Sequence, residues 1–209
     1  VDTDGDHDFT DEVALQPYHQ RPRTGRFGTR KWNSKGGETV FVVTAVSPDG
    51  EYVQLGFDGN GHGTHVAGIA AANGPPETGM QGLAPGAQIM ALKALGSSGD
   101  GTWEDISRAM VYAAEHGADI ISISVGGLND VSDIGSKESR LIEELSEVYG
   151  TLIVLVAGND GPGLGSITTP GEPGSSLTVG AFVSAQAWED FYGYQVPGGS
   201  LWPFSAAGP

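Results

Sequence analysis

The 209-residue chain contains no cysteine, which excludes any disulfide and any thiolate site but does not fix a compartment. No run is long and apolar enough to cross a bilayer as a helix, so no membrane partner is expected. Basic residues are scarce, with 10 Lys and Arg against 26 Asp and Glu and a formal net charge of −16. Such a balance disfavours nucleic acid and anionic lipid as partners and favours cations and solubility. A plain solvated acidic surface has the same charge. Charged residues make up only 17 % of the chain, below the usual value of about a quarter. Internal repeats and low-complexity tracts are also lacking. The chain opens on Val1 without a leader and stops at Pro209 in mid-pattern, so it is expected to be an excerpt of a longer polypeptide.

What is present is glycine, 34 residues of it, in a chain long enough for one sizeable domain that buries about 70 % of its unfolded surface. From Gln88 onward the apolar pattern alternates between strand and helix. Residues 88–95 read as a strand ending at Gly96. A helix capped by Thr102, with Asp105 three residues later, carries Ile106, Ala109, Met110 and Ala113 at helical spacing and closes at Gly117. Strands follow over 120–125, 151–157 and 177–182, with a helix over 137–149 whose face is Leu141, Ile142, Leu145 and Val148. This order predicts an α/β fold with a mostly parallel sheet and helices on both faces, three layers in all. Ligands in such sheets lie beyond the carboxyl ends of the strands, where Leu95, Val125 and Ala157 precede glycine-rich turns. Residues 1–56 fit less well and are expected to form an insertion or loop-rich segment, with a hairpin over Ser47-Pro48-Asp49-Gly50. Residues 57–209 form the core of the prediction. The aromatics between Trp188 and Trp202 are expected to pin a long loop.

The most specific stretch is Gly61-His62-Gly63-Thr64-His65-Val66-Ala67-Gly68. It places an imidazole at the start of a helix of small residues expected to be tightly packed and buried. The positive end of the helix dipole disfavours imidazolium, so His62 is suited to accept a proton. Two other readings stay open: histidines that merely cap and pack a core helix, and a metal pair formed by His62 and His65 on one helical face.

This stretch resembles the histidine box of the subtilisin-like serine peptidases, the subtilases, and the resemblance runs from about Phe57 to Pro209. It implies a subtilisin-like fold, a serine endopeptidase activity and a peptide or protein substrate. His62 is then the general base and His65 a structural neighbour. Ala157-Gly158-Asn159-Asp160-Gly161 resembles the segment of the oxyanion-hole asparagine, which implies Asn159 as a neutral donor to the developing oxyanion. Gly99, Asp100 and Gly101 resemble an extended substrate-pairing strand. Ser124, Val125 and Gly126 resemble the opposite wall, where glycine lets a peptide backbone approach. Asp160 is expected at the rim of the pocket for the residue before the scissile bond, favouring basic or polar side chains. Gly82-Leu83-Ala84-Pro85 resembles a structural turn of the family. A secreted or cell-surface location is implied by the resemblance alone.

Two triad members do not fall in place. Phe204-Ser205-Ala206-Ala207-Gly208-Pro209 resembles the segment before the family's serine box, so the nucleophile is expected after Pro209. The 209 residues alone are then expected to be inactive, and Ser205 is not a substitute. Val1-Asp2-Thr3 resembles the acid box with Asp4 in place of its glycine. Asp2 lies 60 positions before His62, so the acid is either Asp2 or a residue upstream of a large insertion like that of tripeptidyl-peptidase II types. Catalysis requires no cofactor on this reading. The alternating carboxylates of Asp2, Asp4 and Asp6 suggest a structural calcium, although His7 and Val13 depart from the EF-hand pattern. A catalytically dead homologue that binds peptide or calcium is the alternative from another class.

Overall fold

The computed structural model describes residues 6–27, 39–127, 136–170 and 174–208. Two compact units result, one of residues 1–87 with 96–100 and one of residues 88–95 with 101–209.

The first unit contains an antiparallel sheet of β1 (Gly25–Phe27), β2 (Thr39–Val46) and β3 (Val53–Gly56) in that order. The predicted hairpin joins β2 to β3 through Ser47–Gly50, with Gly50 at φ +74°. The Asp49 carboxylate accepts from the Ser47 hydroxyl and the Glu51 amide, and these bonds lower its pKa. Serine, aspartate and glycine thus each meet a separate demand of the turn. β1 was not expected in a loop-rich segment. Gly25 pairs with Phe41, and a Cβ at position 25 would overlap the Phe41 ring, which is only 2 % exposed. A three-residue strand is too short to show a period in sequence.

Helix α1 (His62–Ala71) forms as expected, but none of its residues is buried, and Ile69 is exposed. Small side chains remove little area from water, so hydrogen bonds at both ends hold the helix in place of apolar burial. At its carboxyl end, Gly82, Leu83 and Ala84 donate backbone N–H groups to the carbonyls of Ala72, Ile69 and Ala70 at 2.8–3.0 Å. Carbonyls that a helix end leaves open are thereby satisfied. A Cβ at Gly82 would collide with the backbone of Ala71 and Ala72. The Gly82-Leu83-Ala84-Pro85 turn is thus a cap on α1.

The second unit carries the α/β architecture. β4 (Ile120–Ile123), β5 (Leu152–Val156) and β6 (Ser176–Val179) form a parallel sheet in that order, with α3 (Lys137–Tyr149) between β4 and β5. α2 (Trp103–Glu115) precedes β4. Its cap is the predicted one, since Thr102 Oγ1 accepts from the Asp105 amide at 3.1 Å and donates to the Asp105 carboxylate at 2.7 Å. α2 and α3 bury Ile106, Met110, Ala113, Ile142 and Leu145 against Ile121, Ile123, Ile153 and Leu155. The apolar strand runs predict two buried faces. Instead the face carrying Ile120, Leu152, Leu177 and Val179 is exposed, and so is Val148 on α3. Residues 88–95 form no strand, because they pair with no neighbour in the described sheet. Ala94 and Leu95 still pack on the core. The predicted strand over 177–182 is divided. Ser205 Oγ accepts from the Ala181 amide at 3.0 Å, after which β7 (Phe182–Val183) pairs antiparallel with β8 (Ser200–Leu201). Between them α4 (Ala185–Tyr192), capped by Ser184, replaces part of the expected loop. Trp188 stacks on Trp202 with ring centroids 5.2 Å apart, the pinning role expected of these aromatics.

Ile153 is fully buried and Val148 is 66 % exposed. Ile153→Ala is expected to cost about 2–5 kcal/mol, and Val148→Ala under about 0.5 kcal/mol. Denaturant midpoints of the two variants measure the difference, and equal losses would contradict this core.

Candidate active site

His62 is the first residue of α1, and its side chain is exposed. The approach to it, Phe57-Asp58-Gly59-Asn60-Gly61, is organised by Asp58. That carboxylate accepts from the Thr64 hydroxyl at 2.6 Å and from the amides of Gly61, Thr64 and Asn60 at 2.8, 3.0 and 3.1 Å. Gly61 stands at the N-cap position with φ +88° and has no side chain to cap with, so Asp58 performs that task from three residues upstream. The Thr64 hydroxyl, then the Gly61 and Thr64 amides, hold the Asp58 carboxyl far below the usual carboxylate range. Sequence reasoning passed over this residue. The signal was available in Asp-Gly-Asn-Gly, the composition of a side-chain-braced turn.

Asn60 binds on two sides. Its carboxamide oxygen accepts from the His62 amide at 3.3 Å, and its NH2 donates to the Ser97 carbonyl at 3.2 Å. The backbone of the candidate base is therefore tied to the 96–100 loop. That loop contains Gly99 and Asp100 and differs from the extended strand expected there. Gly96 donates to the Asp100 carbonyl at 2.9 Å and Gly99 to that of Gly96 at 3.1 Å, with Gly99 at φ +89°. A left-handed glycine closes a turn where a strand would need extended backbone. Gly101 belongs to the second unit.

In the second unit, Asn159 and Asp160 follow β5 and are exposed. Their loop is held on both sides. Gly161 donates to the Phe204 carbonyl at 2.9 Å, and the Gly158 carbonyl accepts from Ala206 at 3.1 Å. A Cβ at Gly161 would overlap the Ser205 carbonyl, so only glycine fits there. Among the described residues the Asn159 carboxamide has no partner, which leaves its NH2 available. The segment Ser124, Val125, Gly126 leaves the carboxyl end of β4, as the parallel sheet requires. Gly127 donates to the Thr169 carbonyl at 3.2 Å. The buried residue between these two segments is Thr168, 6 % exposed, which sequence reading did not single out. Its hydroxyl donates to the Ala157 carbonyl at 3.3 Å. His62 and Asn159 lie in different units.

Asp2 and Asp4 fall outside the described residues. Asp6 is exposed, and one of its oxygens accepts from the Asp8 amide at 2.7 Å. Among the described residues no group of three or more His, Asp or Glu side chains could hold a metal, so the His62–His65 pair has no third ligand there. Ser205 is buried with its hydroxyl engaged by the Ala181 amide, a structural serine. Two open depressions of about 310 and 470 Å³ along α2 contain none of the candidate residues.

The model of the subtilase family (peptidase S8) matches residues 43–209. Pyrolysin of Pyrococcus furiosus is 38 % identical, over 93 % of this chain and 16 % of that protein. Tripeptidyl-peptidase 2 of Caenorhabditis elegans is 36 % identical, over 82 % of this chain and 13 % of that protein. The chain thus spans less than a fifth of these two relatives' length. Among solved structures, sphericase superposes with a TM-score of 0.59 at 33 % identity, covering 78 % of this chain and 49 % of that one.

Because the Asp58 pKa is lowered by folding, its contribution to α1 is complete above its ordinary value of 3.8 and is lost only as pH falls through the lower folded value. The Gly61 and Thr64 amide resonances should therefore stay constant from neutrality down past pH 3.8 and move only in stronger acid. Asp58→Ala should shift both amides at every pH and cost about 1 kcal/mol. An inflection at the ordinary aspartate pKa would refute the capping role.

Proposed function

The chain belongs to the subtilase family, and we propose that it is the part of a serine endopeptidase that carries the general base and an oxyanion donor. The observation that carries this reading is His62, exposed at the first position of α1, its main chain held by Asn60 and its helix started by Asp58. A rigid main chain with a free imidazole is what a base needs in order to meet a hydroxyl repeatedly in one geometry. In the reaction His62 takes the proton of a serine hydroxyl as the oxygen attacks the peptide carbonyl. It then returns that proton to the leaving amine. Asn159 donates its NH2 to the oxyanion of the tetrahedral intermediate. The acyl-enzyme that remains is hydrolysed by water through the same two groups.

On this reading the nucleophile is the serine of a Gly-Thr-Ser segment, which these 209 residues do not contain, so turnover is expected only of a protein that has one. The aspartate that orients His62 is Asp2 or a residue upstream. Asp58 does not qualify, since its carboxylate is occupied by its own loop. Gly99, Asp100, Gly101, Ser124, Val125, Gly126 and Asp160 are the residues proposed to contact the substrate peptide. Catalysis uses no cofactor. A structural calcium at Asp2, Asp4 and Asp6 is supported by their alternating oxygens alone, and a calorimetric titration without heat removes it. A secreted or cell-surface location rests on the resemblance alone, and fractionation of the producing cells tests it. No described helix is long and apolar enough to cross a membrane.

The test uses the full-length protein, a serine-directed phosphonate and a peptide blocked at its amino end. The protein is expected to take up the label and cut the peptide internally, and His62→Ala is expected to abolish both. Asn159→Ala should lower kcat by about 10²–10³, the magnitude known for this donor in subtilisin itself and taken over from it. A full-length protein that binds peptide but neither labels nor turns over is the catalytically dead homologue instead.

A further inference from the structure

Asn60 and Gly61 are both exposed, in the turn that leads into α1. An asparagine followed by glycine has a chemistry of its own, because no side chain on the second residue hinders attack by its nitrogen. The Gly61 nitrogen bonds to Asn60 Cγ and closes a cyclic imide. The Cγ–Nδ2 bond breaks, and Nδ2 leaves as ammonia with the proton of the Gly61 amide. Water then opens the imide at either carbonyl, which leaves aspartate or isoaspartate at position 60.

This attack has two requirements, and the turn opposes both. The Gly61 nitrogen must give up its proton, but that N–H donates to Asp58 Oδ1 at 2.8 Å. Losing the proton there would set two negative charges side by side, which disfavours the ionised amide. Nor is Asp58 a useful base. The Thr64 hydroxyl, then the Gly61 and Thr64 amides, hold its carboxyl far below the usual carboxylate range. The second requirement is a carboxamide free to turn its carbon towards the nitrogen. Asn60 is pinned at both ends, since Oδ1 accepts from the His62 amide at 3.3 Å and Nδ2 donates to the Ser97 carbonyl at 3.2 Å.

The chain contains a second Asn-Gly pair, Asn73-Gly74, which is held differently. The Gly74 amide donates to the Met80 carbonyl at 2.9 Å, beside the bridge between Asn73 and Gln81. Main chain guards that pair, and Asp58 has no part in it.

We propose that Asn60-Gly61 is a modification site, open to spontaneous deamidation and kept closed by Asp58. Asp58 then protects the turn before His62 chemically as well as capping α1. Conversion severs the link to the 96–100 loop, because a carboxylate at position 60 has no proton to donate to the Ser97 carbonyl. Isoaspartate also reroutes the main chain just ahead of His62. The reaction needs only water and proceeds with or without peptidase activity.

The full-length protein is treated with the serine-directed phosphonate, which prevents self-cleavage, and incubated at mildly alkaline pH. Peptide mass spectrometry follows conversion at Asn60 and Asn73 separately. In folded wild type, Asn60 is expected to convert at least about 10-fold more slowly than in the urea-unfolded chain, the scale of one hydrogen bond to a charged group. Asp58→Ala should raise the rate at Asn60 by about 10-fold or more and leave Asn73 unchanged. A parallel rise at Asn73 would mark general unfolding of that variant. Thr64→Val, which removes only the hydroxyl bond to Asp58, then replaces it and should give a smaller rise at Asn60 alone. Asn60 converting as fast in folded as in unfolded wild type overturns the proposal, and so does an unchanged Asn60 rate in whichever variant stays folded.

Discussion

Everything in the second unit hangs on the parallel pairing of β5 with β4 on one edge and β6 on the other. Ile153 and Leu155 sit at the centre of that pairing, nearly inaccessible to water, beneath α2 and α3. Because the strands run in one direction, the backbone leaving β4 and the backbone leaving β5 emerge at the same end. The glycine-lined segment at Gly126 and the loop of Asn159 are neighbours for that reason. Their separation is then set by one side chain, Thr168, against two residues without side chains.

The first unit solves a different problem. A helix of small residues offers little apolar area, so α1 is stabilised by its ends. Asp58 gathers hydrogen bonds from Asn60, Gly61 and Thr64 at its start, and Gly82, Leu83 and Ala84 close its carbonyls at its finish. His62 is the first residue after a left-handed glycine, so its imidazole projects from the turn and its backbone is fixed by its neighbours. Asn60 extends this fixing to the loop carrying Gly99 and Asp100. A peptidase needs both properties together, a mobile proton on an immobile support.

The proposed chemistry divides cleanly between the units. One supplies a base on a braced helix, the other a neutral donor on a braced turn, and each brace is made of glycines and hydrogen bonds instead of apolar packing. Glycine is abundant in the chain because so many of these turns demand it: Gly61 and Gly158 for their left-handed φ, Gly82 and Gly161 for the backbone that passes against them.

Much of this was legible in the sequence. The hairpin at Ser47–Gly50, the Thr102 cap, the helix from Lys137 to Tyr149 and the strand after it all appear where local pattern places them, because capping and periodicity act over a few residues. His62 and Asn159 are singled out by long specific motifs, and both lie within the residues that the family model covers. Burial was not legible. Nothing local says that no residue of α1 would be buried, that Leu152 and Leu177 would face outward, or that residues 88–95 would pair with no described strand. Thr168 was missed for the same reason, since a threonine that meets glycines 42 and 10 positions away is defined by where the chain returns in space. Asp58 is different, because its signal was local, in the Asp-Gly-Asn-Gly turn. The sequence alone singled out the residues proposed to carry the chemistry, since that depends on side-chain type. Only the tertiary structure decided how much room they have, since that depends on contacts between distant parts of the chain.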